Sequence, residues 1–146
     1  MAPSHHGTCV VIGNKGVLIR GASGSGKSGL AFELIQRERT AGRFACLVAD
    51  DQVYIDAING RLVARCPEPT RGLMELRGHG IVKMPHLNRA VLRLIIDIEG
   101  LSHIERLPES HELETEVLGI KVRRQPVPLE SFDASVRLAY AALRTL

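Results

Sequence analysis

The chain has no tryptophan, two tyrosines and three phenylalanines, an aromatic content of 3%. Single-stranded nucleic acid is held largely by stacking bases on aromatic faces, and this sequence supplies few of them. Its three cysteines, Cys9, Cys46 and Cys66, form no C-x-x-C pair. Their odd number and apolar neighbours (Cys9-Val10-Val11, Ala45-Cys46-Leu47-Val48) argue against a disulfide framework and for buried, reduced thiols. No apolar run approaches the ~20 residues that cross a bilayer, and Val91–Ile98 is interrupted by Arg93 and Asp97. The first residues, Met1-Ala2-Pro3-Ser4-His5-His6, lack the apolar stretch of a signal peptide. The resulting expectation is a cytoplasmic protein with no membrane partner. The six histidines show no H-x-H or H-E-x-x-H spacing, so no dedicated transition-metal site is expected. Internal repeats and low-complexity segments are absent.

The balance of 19 Lys and Arg against 16 Asp and Glu gives a mild net charge of +3. That suits a nucleotide, but no basic cluster is dense enough to expect a nucleic-acid partner. Lys121 with Arg123-Arg124 comes nearest and reads as a solvated strand face. At 146 residues, 45% hydrophobic and 24% charged, the chain fits one soluble domain with a real core.

Gly21-Ala22-Ser23-Gly24-Ser25-Gly26-Lys27-Ser28 is the most informative stretch. It fits the phosphate-loop pattern G-x-x-x-x-G-K-[ST] at every fixed position. Glycines there let successive backbone N–H groups turn toward a phosphate chain; the lysine reaches the β- and γ-phosphates, and the hydroxyl ligates Mg²⁺. Apolar Val17-Leu18-Ile19 precedes the loop as a strand. Ser28 to Arg39 follows as a helix with Leu30, Ala31, Leu34 and Ile35 on one face. Strand, loop and helix in that order aim a helix N-terminus at phosphate.

The rest of the chain reads as short strands and hairpins. Thr8–Ile12 and Gly16–Ile19 form one hairpin, and Val53–Ile58 and Arg61–Ala64 another around Asn59-Gly60. Ala45–Ala49 is a buried strand, Leu73–Leu76 a brief one, and Gly78-His79-Gly80 a turn. Met84–Asn88 reads ambiguously. Val91–Ile98 and Val117–Val122 are each predicted as one strand, with a mostly polar loop over Ser102 to Thr115. Ser131 is placed to cap a last helix with Val136, Tyr140 and Leu143 on one face. Seven to nine strands with two or three helices, hairpins included, predict a mixed sheet.

Two further segments could carry chemistry. Leu47-Val48-Ala49-Asp50-Asp51 is an apolar strand ending in two carboxylates. One acid at such a strand end can hold Mg²⁺ or its water, and a second can accept a proton from an attacking hydroxyl. Adjacent strand residues face opposite ways, so the two share a role only if the strand has ended. In Glu75-Leu76-Arg77-Gly78-His79-Gly80-Ile81, Glu75 and Arg77 share a strand face and could address one Mg-nucleotide.

His6-Gly7, Gly21–Ser28, Val48-Ala49-Asp50-Asp51 and Glu75–Ile81, in that order, resemble the catalytic domain of the HPr kinase/phosphorylase family. The likeness runs from about Ser4 to Arg106 and is nearest to the short α-proteobacterial type. It implies an α/β fold: a P-loop-containing mixed sheet with flanking helices and a nucleotide-binding core like that of PEP carboxykinases. The implied domain is residues 1–146, a single catalytic domain without the N-terminal domain of longer members. The implied activity is transfer of the γ-phosphoryl of ATP to a serine of the phosphocarrier protein HPr.

Carried over by position, Gly21, Ala22, Ser23, Gly24, Ser25, Gly26, Lys27 and Ser28 bind the nucleotide. Lys27 meets the β/γ-phosphates, and Ser28 and Glu75 ligate Mg²⁺. Asp51, with Asp50 beside it, accepts the substrate proton, though which of the two is the base stays open. His6 matches the active-site histidine, and Arg106 in Glu105-Arg106-Leu107 matches an active-site arginine. The resemblance also implies a homo-oligomer, a trimer or hexamer.

Departures from the family pattern are a longer link, Arg39 to Phe44, and only a remnant, Pro126-Val127-Pro128, of a loop tied to dephosphorylation. Kinase activity is therefore expected with weak or absent phosphorylase activity. Two other readings compete. The loop also resembles those of gluconate and adenylylsulfate kinases, which act on small molecules. A nucleotide sensor without transfer activity is the third.

Overall fold

Residues 4–146 are described by a computed structural model. Eleven strands and two helices alternate as β1 (Ser4–His6), β2 (Thr8–Ile12), β3 (Lys15–Arg20), α1 (Lys27–Thr40), β4 (Ala45–Ala49), β5 (Gln52–Ile58), β6 (Arg61–Arg65), β7 (Leu73–Leu76), β8 (Gly80–Lys83), β9 (Arg89–Glu99), β10 (Glu114–Val117), β11 (Ile120–Pro128) and α2 (Phe132–Arg144). Nine strands form one mixed sheet, ordered β1-β5-β6-β9-β3-β2-β4, with β11 added to β9 and β10 to β11; β7 and β8 pair separately. The expected mixed α/β architecture is the one observed.

The centre of the sheet is the parallel trio β3, β9 and β11. Strands buried on both faces read as unbroken apolar runs, and Val17, Leu18 and Ile19 on β3 and Leu94, Ile95 and Ile96 on β9 are all at most 1% exposed. One face packs under the helices: Leu30, Ala31, Leu34 and Ile35 of α1 and Val136, Ala139 and Leu143 of α2 join Val17, Ile19, Leu94 and Ile96. On the other face the sheet curls over itself, so that Val53, Ile55 and Leu62 of the β5–β6 hairpin cover Cys9, Leu18, Val48 and Ile95. All three cysteines are free, buried and part of this second core. The β3–β9 contact is close enough that a Cβ on Gly16 would fall 2.3 Å from the Val91 carbonyl oxygen. Only glycine fits there, and the register shifts at this point.

Four segments differ from the sequence reading, the first being β8 (Gly80–Lys83), which pairs with β7 just after the expected Gly78-His79-Gly80 turn. Val117–Val122 is two strands, because Leu118 and Gly119 take positive φ (49° and 78°) and turn the chain between β10 and β11. With β1 and β8 added, the eleven strands among the described residues exceed seven to nine. β1 was not predicted at all: Ser-His-His has no apolar alternation, and it pairs through its backbone with β5. β11 extends through Pro126-Val127-Pro128, the supposed loop remnant. Prolines fit because β10 leaves the ladder at Arg123, so beyond it one edge of β11 is unpaired. Met84–Asn88 runs alongside β4, where the Leu47 N–H donates to Pro85 O and the Leu87 N–H to Leu47 O, both 2.9 Å.

Candidate active site

The loop between β3 and α1 turns on its glycines. Gly24 and Gly26 have φ of 79° and 96°. A Cβ on Gly21 would lie 2.6 Å from Ser25 Oγ. Gly26 precedes α1 with no side-chain cap, and the first turn carries no acid. The first N–H groups of the helix, at the positive end of its dipole, therefore carry no capping side chain. Ser25 Oγ is buried in the loop with no hydrogen-bond partner among the described residues. The Lys27 side chain folds back into the loop, and its Nζ donates to the carbonyls of Gly21 and Ala22, each at 3.1 Å.

Asp50, the first residue beyond β4, organises the far wall. Its Oδ1 accepts from Ser28 Oγ at 2.6 Å and from Thr8 Oγ1 at 2.9 Å, and its Oδ2 accepts from the Glu75 N–H at 3.0 Å. It is 9% exposed. One carboxylate therefore ties together β2, the start of α1 and β7. Asp51 does the opposite. A positive φ of 70° ends the strand and turns its side chain out, where Oδ1 lies 3.3 Å from His6 Nδ1. The Gly7 N–H donates to Asp51 O at 2.9 Å and fixes β1 against this turn.

A cleft of about 740 Å³ opens between these walls. The structure gathers His6, Lys27, Ser28, Asp50, Asp51 and Glu75 into it, with Ser23, Gly24 and Gly26 of the loop. Arg77 also lines it; its Nη1 lies 3.8 Å from the point where a Cβ on Gly24 would sit. Arg106 is not gathered in. It is exposed on the segment before the last hairpin and does not line the cleft. Its assignment rests on the short Glu105-Arg106-Leu107 match.

Sequence reasoning missed Thr8, whose buried hydroxyl shares Asp50 with Ser28; a lone polar residue heading an otherwise apolar strand was its one signal. It also missed the mount of the loop. Arg20, the residue before Gly21, grips Asp97 of β9 with two bonds of 2.7 and 2.8 Å. Arg124 of β11 reaches the same carboxylate at 2.6 Å and Glu99 at 2.5 Å. Arg124 is thus no solvated strand residue, as had been expected of Arg123-Arg124; its side chain is 18% exposed. Burial raises the Asp97 carboxyl, but the guanidinium groups of Arg20 and Arg124 more than offset it and hold it below the ordinary carboxylate range.

The donor set fits Mg²⁺, which takes hard oxygens and is normally held by one or two carboxylates together with substrate phosphates. Ser28, Asp50 and Glu75 offer a hydroxyl and two carboxylates beside the loop. No cluster of three acidic, histidine or cysteine side chains among the described residues forms a self-sufficient metal cage. No helix among them is long and apolar enough to cross a membrane.

A mixed sheet with a glycine-rich loop after its central strand β3, two helices on one face and an acid-ended strand β4 one strand away defines a mixed α/β domain. Within that class the chain belongs to the HPr Serine kinase C-terminal domain family, whose model matches residues 1–144. It is 38% identical over 141 residues to the HPr kinase/phosphorylase of Clostridium perfringens, covering 88% of this chain and 44% of that protein. The corresponding protein of Caldicellulosiruptor bescii is 36% identical over 137 residues, covering 86% and 42%. The chain therefore spans less than half the length of these curated relatives. A solved structure, the Hpr(Ser) kinase/phosphatase from Coxiella burnetii, superimposes with a TM-score of 0.80 at 26% identity, covering 98% of this chain and 89% of that one.

Proposed function

We propose that this chain is an ATP-dependent protein serine kinase acting in the cytoplasm on an HPr-type phosphocarrier protein. Residues 1–146 would serve as its catalytic domain. The observation that carries the proposal is the division of labour between Asp50 and Asp51 across a phosphate loop. The names of the relatives, HPr kinase/phosphorylase and Hpr(Ser) kinase/phosphatase, supply the acceptor.

In this reading the loop N–H groups and the start of α1 bind the phosphates of ATP. Lys27 exchanges the carbonyls of Gly21 and Ala22 for β/γ-phosphate oxygens. Ser28 and Glu75 would hold Mg²⁺, with Asp50 orienting the Ser28 hydroxyl; the ion would offset negative charge on the phosphates. Asp50 already accepts three hydrogen bonds, so it positions Ser28 and Thr8 and has little capacity left to take a proton. Asp51 is 68% exposed and can reach the hydroxyl of an incoming serine, with His6 orienting its carboxylate. The reaction is an in-line transfer driven by positioning and electrostatics, with no covalent enzyme intermediate.

Intact-mass spectrometry of HPr from the same organism, incubated with the protein, Mg²⁺ and ATP, tests this. One added phosphate on a serine, lost with Lys27→Ala, is the expected result. ATP binding with no mass change would leave a small-molecule kinase or a nucleotide sensor instead. Incubating seryl-phosphorylated HPr with inorganic phosphate measures the reverse reaction, expected to be weak or absent. Light scattering checks the trimer or hexamer that the family resemblance suggests.

A further inference from the structure

The consecutive residues His6, Gly7 and Thr8 address the two acids that follow β4. His6 Nδ1 lies 3.3 Å from Asp51 Oδ1, the Gly7 N–H donates to Asp51 O at 2.9 Å, and Thr8 Oγ1 donates to Asp50 Oδ1 at 2.9 Å. The first two contacts hold Asp51, and Thr8 alone of the three reaches Asp50. Thr8 is 0% exposed and heads a strand whose other residues, Cys9, Val10, Val11 and Ile12, are apolar and buried. Packing does not ask for a hydroxyl here, since valine has the same branched outline and a similar preference for strands. A buried hydroxyl is tolerated where it has a partner, and the partner is the Asp50 carboxylate.

A carboxylate offers about four lone-pair sites, two on each oxygen. Ser28 Oγ and Thr8 Oγ1 fill both on Oδ1, at 2.6 and 2.9 Å, and the Glu75 N–H takes one on Oδ2 at 3.0 Å. Oδ1 thus has no electron pair left for a cation. Ser28 gives its proton to Asp50 and keeps its own lone pairs for the cleft. The two hydroxyls are not equivalent. Ser28 stands in the first turn of α1 and lines the cleft half-buried, whereas Thr8 comes from the sheet, paired with Ile19 of β3. Thr8 is the fixed party. Without it, Oδ1 would have an open lone pair beside Ser28, and the carboxylate would lose one of the bonds that set its plane.

We propose that Thr8 is a positioning residue: it saturates Asp50 Oδ1, so that Asp50 orients the Ser28 hydroxyl and does not itself ligate the cation. The proposal rests on the reading of the cleft as a Mg-ATP site. Mg²⁺ demands near-ideal octahedral geometry, which a further carboxylate crowding in beside Glu75 would distort. Partners that hold a metal ligand in place are costly to lose, at roughly 10- to 100-fold in metal affinity.

The test is calorimetric titration of ATP into the full chain across a series of Mg²⁺ concentrations, with melting temperatures taken on the metal-free protein. Thr8→Val should raise the Mg²⁺ concentration that half-maximally enhances ATP binding by about tenfold or more, and leave ATP binding without metal unchanged. Thr8→Ser keeps the hydroxyl and should retain the wild-type Mg²⁺ dependence. The loss in Thr8→Val should be smaller with Ca²⁺, whose flexible coordination accepts an additional carboxylate. Should Thr8→Val fold poorly, Thr8→Cys, a weaker donor of similar size, must shift the Mg²⁺ dependence in the same direction. A Thr8→Val protein that melts lower yet keeps the wild-type Mg²⁺ dependence makes Thr8 a purely structural residue and overturns the proposal. A Thr8→Ser protein as impaired as Thr8→Val does the same, because volume and not the hydroxyl would then matter. Wild-type ATP binding that ignores Mg²⁺ overturns the Mg-ATP reading of the cleft and the proposal with it.

Discussion

Asp50 and Asp51 are neighbours in the chain and share no partner in space. Asp50 is buried against Ser28, Thr8 and the Glu75 N–H, and Asp51 faces outward to His6. Substituting each should therefore fail differently. Asp51→Asn should lower turnover on HPr by about 10²–10⁴, the range for losing a general base, and leave ATP affinity unchanged. Asp50→Asn should weaken Mg-ATP binding and lower the melting temperature, since three donors lose a charged acceptor. Equal turnover in Asp51→Asn and wild type would remove Asp51 as the base. The cysteines make a second contrast. Burial, then the neighbouring Cys46 and Cys66, push the Cys9 thiol far above its ordinary value. Burial likewise raises Cys46 and Cys66. The native protein should resist alkylation at pH 7 to 8, with three adducts appearing together only on unfolding, as read by mass spectrometry. At this scale the pattern Val48-Ala49-Asp50-Asp51 was legible, but the split between the acids was not. It follows from one backbone angle at Asp51, a left-handed φ that no residue pattern announces.

The elements most easily read were those whose local signals agreed with their packing. Ala45–Ala49 came out with the bounds of β4 because every one of its residues is buried. α2 was announced by Ser131, whose hydroxyl accepts from the Ala134 N–H at 3.2 Å, and by an apolar face that lies in the core. Ser131→Ala should cost about 1 kcal/mol, seen as a lower denaturant midpoint with an unchanged slope. A loss near zero would mean that packing alone fixes this end of the helix. The illegible elements were those decided by partners distant in sequence. β1 exists because β5 is there to pair with it. β11 tolerates its prolines because β10 has already left its edge. The Leu118-Gly119 turn carries no Asn-Gly or Asp-Gly signature, so two strands looked like one.

For the molecule as a whole, the acid limb of stability should be set in good part by the Arg20–Asp97–Arg124 cluster. Asp97 is held below its ordinary carboxylate value, so its contribution is present above about pH 4 and is lost as pH falls through the lower folded-state value. Asp97→Asn should destabilise the protein at pH 7 by about 2–4 kcal/mol, somewhat under a fully buried pair, because the Arg20 side chain is 35% exposed. The gap between variant and wild-type melting temperatures should close as pH falls below about 4. A gap that stays constant as pH falls through the acid transition would rule the cluster out as the origin of acid sensitivity. Mixed-sheet architecture and the order of the motifs were open to sequence reasoning, since each is local. The curl of the sheet and the cross-tied strand ends were not, because both depend on which distant strands β9 accepts as neighbours.

The Lys27 ammonium has a further consequence. By resting on the carbonyls of Gly21 and Ala22, it would, under the proposed function, act as an internal placeholder for the nucleotide. The loop beneath it is anchored through Arg20 to β9 and β11 and has no need to rearrange. On that reading, arrival of ATP would be a swap of occupants, with one side chain swinging while the backbone stays still. Such a receptor spends little of its affinity on ordering itself. Its association rate should approach that of a rigid pocket, and ATP should leave the amide-exchange protection of β3, β9 and β11 almost unaltered.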